Sequence, residues 1–325
     1  RSREKLYRRK PQAMALRSKV ATFKALEAQV EDGHASNATI QKYLREVREQ
    51  KLRRSELVST YGDKLIDSGR LGAEELWLVH EQVIVAALDC QDIAIAKKCL
   101  SKLMKKFPDS VRVGRLRGMA LEASGKWAEA LTLYDALLEQ APTNGAILKR
   151  KAAVERSTGN NKGAIEALND YLTVFMADTD AWAELADIYI ETEAYSNAAF
   201  CMEEIITAAP HNYMNHLRYA EILYTAGGAD NLRTARKYFA TAVELTSGNC
   251  VRALYGLWAC ARAVDAFKGS HKQPEDESEL LELSGKRLIQ LYKEKCPEKA
   301  ALIQKMVESS SVSTQGSSQY TVSEK

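Results

Sequence analysis

The sequence predicts an all-α protein, an α-solenoid of stacked helical hairpins with capping helices at both ends, and three observations predict it. Pro108, Pro142 and Pro210 stand 34 and twice 34 residues apart. Ala96, Ala130, Ala164 and Ala198 recur with that same 34-residue period. So do Gly118, Ala152, Ala186 and Ala220. A fixed period of this length means that each unit buries its apolar face on a copy of itself. Two helices nest closely only where one crossing position lacks a bulky side chain, and the two small-residue series supply that position in the first and second helix of each hairpin.

The period is that of the tetratricopeptide repeat, and the fold class is therefore a tetratricopeptide-repeat superhelix. Thr179–Asn212 carries the pattern most fully: Trp182-x-x-Leu185-Ala186-x-x-Tyr189, then Ala198, Met202, Ile205 and Pro210, with Ala where Gly is usual. Leu100, Tyr134, Leu168 and Met202 give the large apolar partner in successive second helices. In the fifth repeat Ala220 keeps the register, whereas Ala235, Phe239 and Ala242 come three residues late. The turn-rich stretch from Thr225 to Asn231 can absorb that delay.

The remaining elements follow in order. Residues 1–38 read as a basic, flexible extension, and residues 39–76 as N-terminal capping helices, with Ile40, Leu44, Val47, Leu57, Leu65 and Ile66 at helical spacing. About five repeats fill 77–250. Residues 251–308 read as C-terminal helices interrupted by a polar loop at 267–278 containing Gly269 and Pro274. The Ser-rich stretch 309–325 has no periodicity and reads as disordered.

Composition excludes several classes. Charged residues make up 27% and apolar residues 46%, ordinary values for a globular chain. The longest uninterrupted aliphatic run is Val83–Leu88, far short of the roughly 18–20 residues that cross a bilayer, so a soluble chain is expected. The net charge of +3 is uneven: nine basic residues and one acid, Glu4, precede residue 25, which leaves the remainder mildly acidic. A basic start can be a transit peptide, but serine is scarce there, and a solvated extension is the better reading. An acidic body is not a nucleic-acid footprint, which needs clustered Lys and Arg. No nucleic-acid partner is expected.

Six cysteines, none in a Cys-x-x-Cys pair, fit reduced thiols in helices better than disulfides or zinc. Phosphate loops, zinc-protease motifs and nucleophile elbows are absent, so no catalytic residue, metal or cofactor is expected. His211 and His216 flank a repeat boundary and read as exposed turn residues rather than ligands. Cys99 lies among lysines but next to the core position Leu100, which favours packing over reactivity. Trp127 and Tyr195 begin second helices and read as core or edge aromatics.

Arrays of this kind act through surface. Positions 2, 5, 9 and 12 of each first helix line the inner groove, which places Arg112, Arg115, Lys149 and Arg156 toward one end and Asp180, Asp187 and Glu221 toward the other. A bipolar groove suits a partner segment of opposite polarity. An alternative is a free-standing adaptor or co-chaperone that clamps an acidic C-terminal peptide. Such a clamp needs Asn at position 9, and that position reads Val85, Met119, Ala153, Asp187 and Glu221. The repeat-packing residues are Gly118, Ala130, Ala152, Ala164, Ala186, Ala198, Ala220 and Ala235.

Several blocks lie outside the generic repeat pattern: Trp77-Leu78-Val79-x-Glu81-Gln82-Val83-x-x-Ala86-Ala87-Leu88-Asp89, Pro142-Thr143-Asn144, Ala198-Ala199-Phe200-Cys201, Pro210-His211-Asn212 and Arg236-Lys237-Tyr238-Phe239-Ala240. Over about Thr39 to Val264 the chain resembles the tetratricopeptide subunits (subunit two) of the ER membrane protein complex, of plant or algal type. The resemblance implies a non-catalytic scaffold, peripheral on the cytoplasmic face of the endoplasmic reticulum. It would cradle cytosolic parts of membrane-embedded subunits and hold a second soluble subunit, in an assembly that inserts tail-anchored and multipass membrane proteins. Membrane association would be indirect.

Overall fold

The computed structural model describes residues 21–268 and 275–315, and every regular element in them is a helix. After a first helix over residues 21–31 (α1) come α2 (Asn37–Glu49), α3 (Ser55–Asp67), α4 (Ala73–Asp89), α5 (Ile93–Lys106), α6 (Val111–Ala123), α7 (Trp127–Gln140) and α8 (Gly145–Ser157). They continue with α9 (Asn161–Val174), α10 (Thr179–Glu191), α11 (Tyr195–Ala208), α12 (Tyr213–Ala226), α13 (Ala229–Leu245), α14 (Val251–Lys268), α15 (Glu275–Lys295) and α16 (Pro297–Gln315). The chain divides into two units, Arg1–Ala167 and Leu168–Lys325.

In the first unit, consecutive helices pair as antiparallel hairpins: α4 packs on α5, α6 on α7, and α4 also touches α6. The small-residue positions explain the closeness. Ala96, Ala130 and Ala164 are fully buried and Ala152 is nearly so. Gly118 faces the ring of the buried Tyr134, and a Cβ at Gly118 would lie 2.3 Å from that ring. The Tyr134 hydroxyl donates to Glu122, which also accepts from Arg150 at 2.9 Å, so one carboxylate ties α6, α7 and α8 together.

The N-terminal stretch differs from the expected flexible extension. Residues 21–31 form a packed helix, because Phe23, Leu26 and Val30 fall at helical spacing on one face. Phe23 stacks on Tyr43 with ring centroids 5.7 Å apart, and Glu27 accepts from Arg54 at 2.6 Å. Residues 1–20 lie outside the described residues.

In the second unit α10 packs on α11, α12 on α13, and α13 on α14. Ala186, Ala198, Ala220 and Ala235 are fully buried. The three extra residues of the fifth repeat do not become loop. Gly227 and Gly228, at φ +71° and +85°, make a left-handed turn that side chains other than glycine resist. Ala229, Asp230 and Asn231 then form the first turn of α13, which has 17 residues where α11 has 14. The delay is therefore an added helical turn before Ala235.

Two boundaries in this unit also move. The expected loop at 267–278 is narrower: α14 runs to Lys268 and α15 starts at Glu275, while 269–274 lie outside the described residues. Helix α16 runs to Gln315, so Ser309–Gln315 of the expected disordered tail are helical; the Ser309 hydroxyl donates back to the Met306 carbonyl at 3.0 Å, which lets a polar residue continue the helix. Residues 316–325 lie outside the described residues.

A candidate partner groove

The same local devices repeat at each hairpin and set the site. First helices are capped at a register of 34: the side chains of Asn144, Asp178 and Asn212 each accept a backbone N–H of the next turn. First helices also end at a register of 34. Gln91, Gly125, Gly159 and Glu193, each one residue past its C-cap, have φ between +58° and +76°, the left-handed closure common at helix C-termini, and Gly227 at the same register has φ +71° with an extended ψ. With both ends fixed, positions 2, 5 and 9 of the first helices keep one bearing within each unit.

In the first unit those positions line a groove of about 540 Å³. Leu78 and Val85 of α4 are 44% and 36% exposed, and Met119 of α6 completes an apolar floor. Charged residues rim it. Arg112 grips Glu81 through two contacts, at 2.7 and 2.8 Å, and Arg115 approaches the same carboxylate at 3.7 Å. Arg53 makes a bidentate pair with Asp89 at 2.7 and 2.8 Å, supported by the Ser55 hydroxyl. Arg48 joins α2 to α4 through Glu75 and through Gln82 at 2.7 Å. Burial alone would raise the Asp89 carboxyl, but Arg53 and Ser55 outweigh it and hold the group below its ordinary range.

The second unit repeats the motif. Asp187 of α10 meets Arg218 of α12, and Glu221 of α12 forms a bidentate pair with Arg252 of α14 at 2.5 and 2.8 Å. The expected bipolar surface is thus offset locally. Arg112 and Arg115 converge on Glu81, and Asp187 and Glu221 each face an arginine one hairpin on. Lys149 and Asp180 are exposed, and Arg156 is half-buried on α8; only Arg112 of the expected basic set lines the groove. Glu81 and Leu78 were accessible to the positional rule, since they are positions 5 and 2 of the first repeat. Arg48 and Arg53 were not, because the capping helices carry no repeat register.

Four side chains with ligand or nucleophile chemistry, His216, Cys99, Cys201 and Cys260, are buried. His216 is not an exposed turn residue: it is 7% exposed, takes part in a 2.7 Å hydrogen bond to the Pro210 carbonyl and stacks on Tyr238. Its place one turn inside α12 puts it in the core. Burial pushes the Cys99 and Cys201 thiols up to about 11 and Cys260 to about 12, the reverse of a thiolate nucleophile. Among the described residues no cluster of three His, Cys, Asp or Glu could hold a metal, and no helix is long and apolar enough to cross a membrane.

Residues 99–227 match the family model described as the EMC2 TPR-like repeat domain. ER membrane protein complex subunit 2-A of Xenopus laevis is 45% identical over 213 residues, which cover 65% of this chain and 71% of that protein. The chain belongs to this family. Subunit 2 of Dictyostelium discoideum is 39% identical over 63% of this chain and 64% of its own length, and the TPR repeat protein oca3 of Schizosaccharomyces pombe is 37% identical over 53% and 62%. Among solved structures, the C-terminal part of a TPR repeat-containing protein from Cytophaga hutchinsonii aligns with a TM-score of 0.53 at 12% identity, over 86% of this chain and 98% of that one. That likeness shows the all-α tetratricopeptide fold. As a subunit of the ER membrane protein complex family, the chain carries tetratricopeptide-like repeats and protein–protein interaction as its mode of action.

Proposed function

We propose that this chain is a non-catalytic scaffold on the cytoplasmic face of the endoplasmic reticulum, and that its groove receives a segment of another subunit of the ER membrane protein complex. The observation that carries the reading is the strip of Leu78, Val85 and Met119, left open between arginine–carboxylate pairs. An apolar floor with a charged rim supplies affinity at the centre and orientation at the edge. Arg112 at the rim is the partner contact proposed for the groove itself; Arg115, Lys149 and Arg156 beside it, and Asp187 and Glu221 in the second unit, are proposed as further partner contacts outside it. The pairs of Arg112 with Glu81, Asp187 with Arg218 and Glu221 with Arg252 are part-exposed and can exchange for a partner's charges at little cost. In an assembly that inserts tail-anchored and multipass proteins, such a subunit would position the cytosolic parts of membrane-embedded subunits beside a second soluble one.

The test is affinity purification of the tagged chain from membranes. Stoichiometric recovery of membrane-embedded subunits supports the reading, and release by alkaline carbonate shows that attachment runs through those partners. Recovery of the chain alone, or retention after the wash, overturns it.

A further inference from the structure

We propose that a second pocket of the first unit, where α3, α4 and α5 meet, binds an acidic peptide segment bearing an apolar side chain. The pocket has a volume of about 440 Å³ and shares no residue with the groove. Its floor is apolar: Ile66, Leu71, Leu76 and the indole of Trp77. Its wall is Lys102, Lys105 and Lys106, from the last turns of α5.

Helix α5 carries five lysines and no carboxylate. Lys98 is held by Asp63 at 2.9 Å and Asp67 at 2.7 Å. The three lysines at the pocket are exposed and form no ion pair among the described residues. The dipole of α5 favours cations in its last turn, but it does not account for the apolar floor beside them. A stacked pair of rings closes the inner side of the pocket. His80 lines the pocket, is 1% exposed and stacks on Trp77 at 5.7 Å, and its Nδ1 has no hydrogen-bond partner. That nitrogen is fully covered, so the Trp77 ring stacked on the imidazole is what an occupant meets.

The chemistry of the wall selects the occupant. Phosphate sites favour arginine forks and helix N-termini; here the cations are all lysines, at the carbonyl end of a helix, which disfavours a dianion close to the axis. Carboxylates spread along a peptide can each reach one mobile ammonium while a leucine or phenylalanine between them covers Trp77 and Leu76. A partner protein's acidic segment has that form.

The experiment uses the full chain and a fluorescein-labelled peptide, Glu-Glu-Phe-Leu-Glu-Glu, followed by fluorescence anisotropy. Saturable binding is expected, with affinity reduced at least about tenfold when K102E, K105E and K106E are combined or when the probe is Gln-Gln-Phe-Leu-Gln-Gln. Lys97→Glu on the same helix and Arg112→Glu in the groove should leave it unchanged, which separates this pocket from the proposed scaffold groove. Circular dichroism confirms that the variants remain folded, and a peptide-induced shift of the His80 Nδ1 resonance places the probe. Three results would overturn the proposal: no saturable binding, equal loss with Lys97→Glu, or lysine-dependent binding of phosphatidylserine vesicles without binding of the peptide.

Discussion

The backbone of Gly118 lies against the ring of Tyr134 so closely that an added Cβ would stand 2.3 Å from Cε1 and 2.4 Å from Cζ. Tyr134 is fully buried and its hydroxyl is tied to Glu122, so the ring has nowhere to retreat. Gly118→Ala should therefore destabilise the chain by about 1–3 kcal/mol in denaturant unfolding, and Tyr134→Leu in the same background should recover part of that loss. An alanine variant as stable as the parent would show that the ring moves freely.

Two hairpins close their first helix with a residue other than glycine in the left-handed region. Gln91 and Glu193, at φ +62° and +58°, occupy the register where Gly125, Gly159 and Gly227 sit elsewhere. A Cβ there costs roughly 1–2 kcal/mol, partly offset by the lower unfolded-chain entropy of a non-glycine residue. Gln91→Gly and Glu193→Gly should each raise stability by about 0.5–1 kcal/mol, read as a higher denaturation midpoint with an unchanged slope. A lower midpoint would mean that the side chains make contacts worth more than the strain.

Stability should fall in two stages as pH drops. Burial, with a contribution from Lys102, lowers the His80 pKa from its ordinary 6.5, so the folded state prefers the neutral ring. Unfolding then takes up a proton as pH falls below about 6.5, and that part of the stability is lost from there down to the folded value. Glu75 is raised by burial but more strongly lowered by Arg48 and Arg45, and Asp89 behaves likewise with Arg53. Their contribution is complete above the unfolded carboxylate pKa, about 4, and is lost below it. Thermal midpoints measured from about pH 7.5 to 5 should flatten in His80→Gln. An unaltered profile would assign the upper stage to another group.

Charge exchange across the groove separates structure from recognition. Arg112→Glu sets like charges against Glu81 and should reduce co-purification of partner subunits while leaving the helical circular dichroism intact. The swapped pair Arg112→Glu with Glu81→Arg restores the internal contact, whose worth is about 0.2–1 kcal/mol at such exposure. If the swap also restores co-purification, the arginine serves only packing of α4 against α6. If it does not, the sign of the charge is read by a partner.

The fold was legible because its determinant is steric and periodic. Ala130, Ala164 and Ala198 are small every 34 residues, and the structure buries each of them completely. The capping residues Asn144, Asp178 and Asn212 carry the same period and could have strengthened the reading. The site was less legible, for a physical reason. A positional rule states which way Arg112 or Glu221 points but not what it meets, and the partners Glu81 and Arg252 come from neighbouring hairpins at a spacing of 31 rather than 34. His216 was misplaced because one turn of helix separates it from the boundary that Pro210 marks. The packed helix at residues 21–31 was less legible because only Phe23, Leu26 and Val30 mark its apolar face, directly after a strongly basic run.

The pairing of acid and arginine across successive hairpins has an implication for how such a chain can be rearranged. Glu81 is matched to position 2 of the hairpin that follows it, occupied by Arg112. The corresponding residue two hairpins later is Asp180. Transplanting that later hairpin into the earlier slot would keep small residues at the register positions, Ala186 for Gly118 and Ala198 for Ala130, and yet confront two carboxylates. At this junction, hairpins alike in their small-residue register are told apart by charge, by the modest amount that an exposed ion pair carries.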